Sequence, residues 1–186
     1  MPAASPPTRR NRIGALKPND TAIVVQIETA TTVVLLGSDL EEARFAGWST
    51  IVQKSKALKS PSGVFKVAHH GSKTGHLDEL WDKHLEPNNF ALLTPFVLGR
   101  HKLPRKSDVD RILKRTSQAY STARVDLTPA GARNAEVRDA LRHDGVQIRR
   151  LEPATGHLRL RCPLTGKANW VVEKFDGAVP LDRAYG

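Results

Sequence analysis

Asp39 and the pair His69–His70 are the side chains best placed to do chemistry, because each stands just beyond an apolar, β-branched run: "VVLLGSD" and "VFKVAHH". If those runs are strands of a layered sheet, both sets emerge at strand C-terminal ends, where loops vary and ligands bind. Carboxylate and imidazole are borderline ligands suited to zinc, manganese or iron, and an aspartate can bridge two metals. Each signal also has a plainer reading. Asp39 before "LEE" has the form of a helix N-cap, and "HHGS" has the form of a polar turn made by Gly71 and Ser72.

Other polar residues gather around these. Ser72 and Lys73 are suited to holding an anionic substrate oxygen, which makes Ser72 a candidate catalytic residue and Lys73 a candidate substrate contact. His76, after "KTG", either reaches the same place or is surface polar. His101 is the second catalytic candidate, for substrate contact or proton transfer, with Arg100 and Lys102 beside it as candidate substrate contacts. His84 and His143 fall late in predicted helices, where an imidazole complements the helix C-terminus. His157 opens a predicted strand.

The elements that must position these residues follow from periodicity. Residues 21–29 and 31–39 predict an antiparallel hairpin, mostly buried. Residues 40–58 carry apolar side chains at loosely helical spacing, broken at Gly47. A short strand is expected over 64–68, a helix over 77–85 and a strand over 90–96. A further helix is expected over 107–119 with Ser107 as its N-cap, then a helix over 132–145. Strands are expected over 146–152, 157–164 and 169–175. The order implies a mixed sheet covered by helices, an α/β architecture. The segmentation it suggests is a leader at 1–18, a domain at 19–119, and a helix plus β-rich extension at 120–186.

Composition narrows the partners. The 186 residues carry a net charge of +10, which favours polyanions such as nucleic acid. Between Arg100 and Arg124 stand eight lysines and arginines, opposed only by Asp108 and Asp110. A solvated helix face has the same composition. Arg149, Arg150, Arg159 and Arg161 fall where strand alternation puts them on one face. The single cysteine, Cys162, rules out an intrachain disulfide and a cysteine-only zinc site. No run approaches the ~18 apolar residues of a membrane span, and "MPAASPPTRRNR" lacks the apolar core of a secretory signal. A cytoplasmic location and no membrane partner are expected.

Taken together, "NDTAIVVQIE", "TTVVLLGSDLEE" and "VFKVAHHGSKTGH" resemble the second half of the metallo-β-lactamase fold, most closely the hydrolase domain of ComEC-type competence proteins. Asn19, Asp39, Lys66, His69, His70, Gly71 and Ser72 match that subgroup's order of motifs. His101 and Pro104 match a later "GHP"-like motif loosely, with two residues between them. The resemblance spans roughly residues 19–115. It implies that Asp39 bridges metals and that one of His69 and His70 is a ligand, His69 being the favoured one. It implies zinc, one or two ions, or manganese, and hydrolysis of a phosphoester, potentially in nucleic acid.

The departure is as informative. The family's principal motif, H-x-H-x-D-H, does not occur, and all seven histidines lie after Asp39. The chain therefore resembles only the C-terminal half of an αββα sandwich. A partner chain or segment carrying the other half would have to complete the site. Two further expectations stand beside this one: a non-catalytic basic subunit that binds nucleic acid or a protein, and a hydrolase of lactone, thioester or β-lactam bonds, since folds of this kind host many chemistries.

Overall fold

The computed structural model describes residues 18–43, 46–98, 101–125, 143–144, 155–163 and 170–185. Its centre is a six-stranded mixed sheet of order β1-β2-β3-β4-β7-β10. β1 (Val25–Glu28) and β2 (Val33–Leu36) form the expected antiparallel hairpin. β2, β3 (Ser62–Lys66), β4 (Leu85–Leu93) and β7 (Ala119–Ser121) then run parallel. β10 (Val179–Pro180) closes the far edge antiparallel to β7. The boundary suggested at 119/120 thus falls inside β7.

Three helices link the parallel strands: α1 (Trp48–Lys54), α2 (Asp78–Lys83) and α3 (Lys106–Leu113). All three pack on one face, since Trp48, Trp81, Val109 and Ile112 join one buried cluster with the strands. On that face the pairing aligns Leu35, Phe65, Ala91 and Ala119. Phe65 is met edge-on by Trp48 at 5.9 Å and by Trp81 at 5.4 Å. Such T-shaped pairs add about 0.5–1.5 kcal/mol each beyond area burial, and they bind α1 and α2 to the middle of the sheet.

The opposite face differs. Alternation puts Val25, Leu36, Lys66, Leu92 and Tyr120 in one row and Ile27, Val34, Val64 and Phe90 in the next. A second hairpin, β8 (His157–Arg161) with β9 (Val171–Phe175), comes from the C-terminal region. Lys174 of β9 lies over the Tyr120 ring at 5.6 Å, and Trp170, just before β9, packs on Phe90 at 5.5 Å. Towards β1 the apolar side chains are open: Val25 is 42% exposed, Ile27 45% and Leu36 36%. The expectation of a mostly buried first hairpin is corrected here. β1 is an edge strand, and Ala22 and Val24, just before it, are the residues here that pack against the core.

Helix boundaries moved for local reasons. The stretch 40–58 becomes helical only at Trp48, because Gly47 takes φ 99° and the Glu42 carboxylate bonds the Ser49 N–H and hydroxyl at 2.8 Å. α3 starts before Ser107. Asp108, not Ser107, ties off its first turn by accepting the Arg105 N–H at 2.9 Å. α3 also stops at Leu113, well short of 119, and the Thr116 hydroxyl beyond it bonds Asn89 O at 2.6 Å. β4 begins at Leu85 rather than 90 and ends at Leu93, and after it β5 (Phe96–Leu98) pairs antiparallel with β6 (His101–Leu103). The helix expected over 132–145, apart from His143 and Asp144, and the whole strand expected over 146–152 lie outside the described residues, as do Arg100, Arg149, Arg150 and residues 1–17. Among the described residues no helix is long and apolar enough to cross a membrane.

Candidate metal and substrate site

Three parallel strands end at one rim, and each delivers a polar group there. Past β2 comes Asp39, past β3 come His69 and His70, and past β4 comes the Thr94 carbonyl. Asp39 caps no helix, since α1 begins only at Trp48. Its Oδ1 instead faces His70 Nε2 at 3.4 Å. The other His70 nitrogen, Nδ1, lies 2.8 Å from Thr94 O. A carbonyl only accepts, so Nδ1 must carry the hydrogen. Neutral His70 then turns a bare Nε2 lone pair towards a carboxylate. Two acceptors at that separation call for a cation between them, either a proton or a metal ion. A backbone carbonyl fixing the tautomer is also the usual support behind a metal-binding imidazole.

His69 makes a parallel arrangement. Nδ1 is 2.8 Å from Thr74 Oγ1, and Nε2 is 3.6 Å from Glu41 Oε1. Asn19 Nδ2 donates to that same Glu41 oxygen at 2.7 Å, so Asn19 orients a carboxylate. The ring centres of His69 and His70 are 6.1 Å apart. The donor set therefore suits divalent cations, but in pairs: Asp39 with His70, and Glu41 with His69. Structural and catalytic zinc takes three or four protein ligands. Among the described residues no cluster of three or more His, Cys, Asp or Glu forms. Each pair would supply two of the three or four protein ligands that zinc takes.

The backbone behind the histidines is unusual. His69 (φ 44°), His70 (φ 53°) and Gly71 (φ 78°) are left-handed in succession. For the two histidines this costs about 1–3 kcal/mol each. Strain of that size persists only where surrounding contacts hold it. Here His69 N–H donates to Ser38 O at 3.0 Å, Gly71 N–H to Ala68 O at 2.9 Å, and Ser72 N–H to His69 O at 2.9 Å.

Beside the histidines opens a cleft of about 460 Å³. Its lining brings His69, Glu41, Ser72 and Thr74 together with His101, Phe96, Tyr185 and the cations Lys102, Arg105 and Lys106. Phe96 also packs on the His70 ring, 5.1 Å between centres. The Tyr185 hydroxyl donates to Pro104 O, so the C-terminal segment closes one end of the cleft.

The sequence candidates thus divide. His101, Ser72 and Lys102 line the cleft with His69. Ser72 is also engaged locally, accepting the Thr74 N–H at 3.3 Å and lying 3.2 Å from its hydroxyl. Lys73 is exposed and is not among the cleft-lining residues. His76 does not line the cleft either; it bonds Asp78 at 3.1 Å and packs on Trp81. Burial holds its pKa below the ordinary imidazole value, partly offset by the Asp78 carboxylate. Arg115 completes that cluster through Asp78 and Asp82. Arg111 pairs with Asp108, so two cations of the basic run are already neutralised. Arg159 and Arg161 both pair with Glu173.

Four residues were missed from the sequence. Glu41 had a signal, a carboxylate two places after Asp39. Arg105 and Lys106 stood in the basic run without being singled out. Tyr185 had none, because only the fold brings the C-terminal segment to this cleft. Lys66, on the open face, has its pKa lowered by burial and raised in part by the Asp39 charge. Comparison with family models, curated proteins and solved structures gave no match.

Proposed function

We propose that this chain carries half of a metal-dependent hydrolase centre of the metallo-β-lactamase type, closest to the ComEC-like hydrolase domain, and acts on phosphoester or nucleic-acid substrates once another chain or segment completes it. The observation that carries this is His70: Nδ1 is committed to Thr94 O at 2.8 Å while Nε2 faces Asp39 at 3.4 Å. Asp39 and His70 would hold one ion, and Glu41 with His69 would contribute to another. Bound zinc or manganese would supply an activated hydroxide and neutralise charge developing on the attacked centre.

The chain's own residues have separate tasks. Thr94 O and the Thr74 hydroxyl orient the imidazoles. Lys102, Arg105 and Lys106 give the cleft a positive wall for substrate phosphate oxygens, and His101 stands where it can hand a proton to a leaving group. The remaining ligands come from outside these pairs. The open apolar side chains Val25, Ile27 and Leu36 are the surface a completing sheet would cover.

The test is a zinc titration followed by imidazole NMR. Zinc should shift His69 and His70 selectively, with weak affinity in the isolated chain, and His70→Ala should remove the response. Zinc-insensitive histidines would reject the metal reading. The same open face and cationic wall favour a second reading, a non-catalytic basic subunit. It predicts oligonucleotide binding that survives His70→Ala.

A further inference from the structure

The turn that presents His69 and His70 is tied to a helix far along the chain. Gly71 O accepts a hydrogen bond from Arg111 Nη2 at 2.8 Å, across forty residues of sequence. The same guanidinium donates through Nη1 to Asp108 Oδ1 at 2.5 Å. Asp108, only 3% exposed, uses its other oxygen to accept the Arg105 N–H at 2.9 Å. One buried carboxylate and one guanidinium therefore join the first turn of α3 to the left-handed stretch His69–Gly71.

Packing closes the other side. A Cβ built on Gly71 would lie 3.2 Å from Ile112 Cδ1 and 3.4 Å from both Leu93 Cδ2 and Pro104 Cβ. The turn cannot relax towards α3, and Arg111 stops it from lifting away. The arginine's Nε is buried without a hydrogen-bond partner. Its position is thus set by the Gly71 and Asp108 bonds at the expense of full satisfaction, a pattern associated with functional sites. The fork matters, because lysine has no second donor at a fixed angle.

We propose that Arg111, held by Asp108, is a positioning residue for His69 and His70: it fixes the strained turn and so the direction of both Nε2 atoms, without touching what they bind. Arg105 and Lys106 stand at the other end of the same unit, so the cationic cleft wall and the histidine turn move together. Only the consequence for metal binding rests on the hydrolase reading; the positioning of the rings does not.

The experiment is imidazole ¹H–¹⁵N correlation NMR of the full chain without metal, with a thermal melt of each sample. In Arg111→Met and Arg111→Lys the His69 and His70 signals should shift or broaden, while those of His84 and His157 stay in place. Asp108→Asn should displace the same two residues. Lysine should fail to rescue, although it keeps the charge. If Arg111→Met does not fold, Arg111→Lys carries the comparison. A folded variant whose His69 and His70 signals superimpose on wild type overturns the proposal. Zinc added afterwards should bind the variants about 10- to 100-fold more weakly, the usual loss when support behind a ligand is removed. A wild-type chain blind to zinc would reject the metal reading and leave the ring comparison to decide the clamp.

Discussion

Replacing Gly37 with alanine should loosen the rim of the site more than any nearby surface change. Gly37 follows β2 and stands two residues before Asp39. An added Cβ would lie 2.9 Å from each of Ala68 Cβ, Ala68 N and Lys66 O. Optimal carbon contacts lie near 3.5–4.0 Å, so β2 and β3 must part by about 0.6–1 Å. Two of the three atoms are backbone, so no rotamer change relieves the overlap. The parting also stretches Gly37 N–H to Lys66 O, 2.9 Å, and His69 N–H to Ser38 O, 3.0 Å. Overpacking costs about 1–3 kcal/mol, and each weakened bond up to about 1 kcal/mol. The expected loss is about 2–4 kcal/mol, or a melting point lower by about 5–15 °C for a chain of this length. Gly63→Ala is the control. Its Cβ would meet only the side-chain ends of Glu86, at 3.1 Å, and Thr32, at 3.4 Å. These can move, and the alanine gains about 0.4–1 kcal/mol by restricting the unfolded chain. Urea and thermal unfolding of both variants decide the matter. Equal midpoints for Gly37→Ala and wild type, or equal losses in the two variants, would refute the reasoning.

Other perturbations separate the parts of the site. Mass spectrometry of the isolated chain under native conditions should find fewer than two tightly held zinc ions, and two would overturn the count of ligands in pairs. Desolvation holds the folded His76 pKa below 6.5, so its contribution to stability is present above that pH and is lost as pH falls through the folded value. Urea midpoints at pH 5 and 7.5 should therefore converge in His76→Gln relative to wild type; an unchanged gap would mean that His76 is not the group responsible. Ile27→Lys should change stability by less than about 0.5 kcal/mol, and a loss above about 1 kcal/mol would show that the face near β1 is already covered. Replacing Lys102, Arg105 and Lys106 with alanine should weaken oligonucleotide binding and reduce the slope of log K against log salt by about 2–3. A flat salt response in the wild type would remove the cationic wall from the argument.

Strand positions were legible in outline because apolar runs such as 33–36 and 64–67 carry a local signal, although β3 starts two residues before the expected 64. The α/β order was legible for the same reason. Helix limits were not. The break at Gly47 was visible, but the Glu42 carboxylate and Asp108 set the helix starts through side-chain hydrogen bonds that composition does not encode. The exposure of β1 was equally hidden: Ile23, Val25 and Ile27 have the composition of core residues, and only sheet topology shows β1 to be an edge. At the site, Asp39, His69 and His70 could be picked out because they end strands. Glu41 carried a signal two places after Asp39, but Thr74 and Thr94 could not be picked out, since a carbonyl has no residue type and a hydroxyl is common in turns. For His76 the sequence left two readings, reaching the site or surface polar, and the fold sets it against Asp78 and Trp81.

The open apolar side chains and the histidine–carboxylate pairs lie near the ends of the same strands, β2 and β3. Leu36 and Lys66 are paired neighbours at the ends of β2 and β3, and Asp39 and His69 follow each of them within three residues. A layer that covered Val25, Ile27 and Leu36 would bring its own strand ends to the rim where Asp39 faces His70. Lys66 points onto that same face, and covering it would remove it further from water. Under the proposed reading, covering the face and completing the ligand set are therefore a single event. Metal and partner binding would then be linked: bound metal would strengthen partner binding by the same factor by which the bound partner strengthens metal binding. The strained His69–Gly71 turn fits this scheme, because its geometry is already fixed by α3 before any partner arrives. Association then need not spend binding energy ordering the histidines.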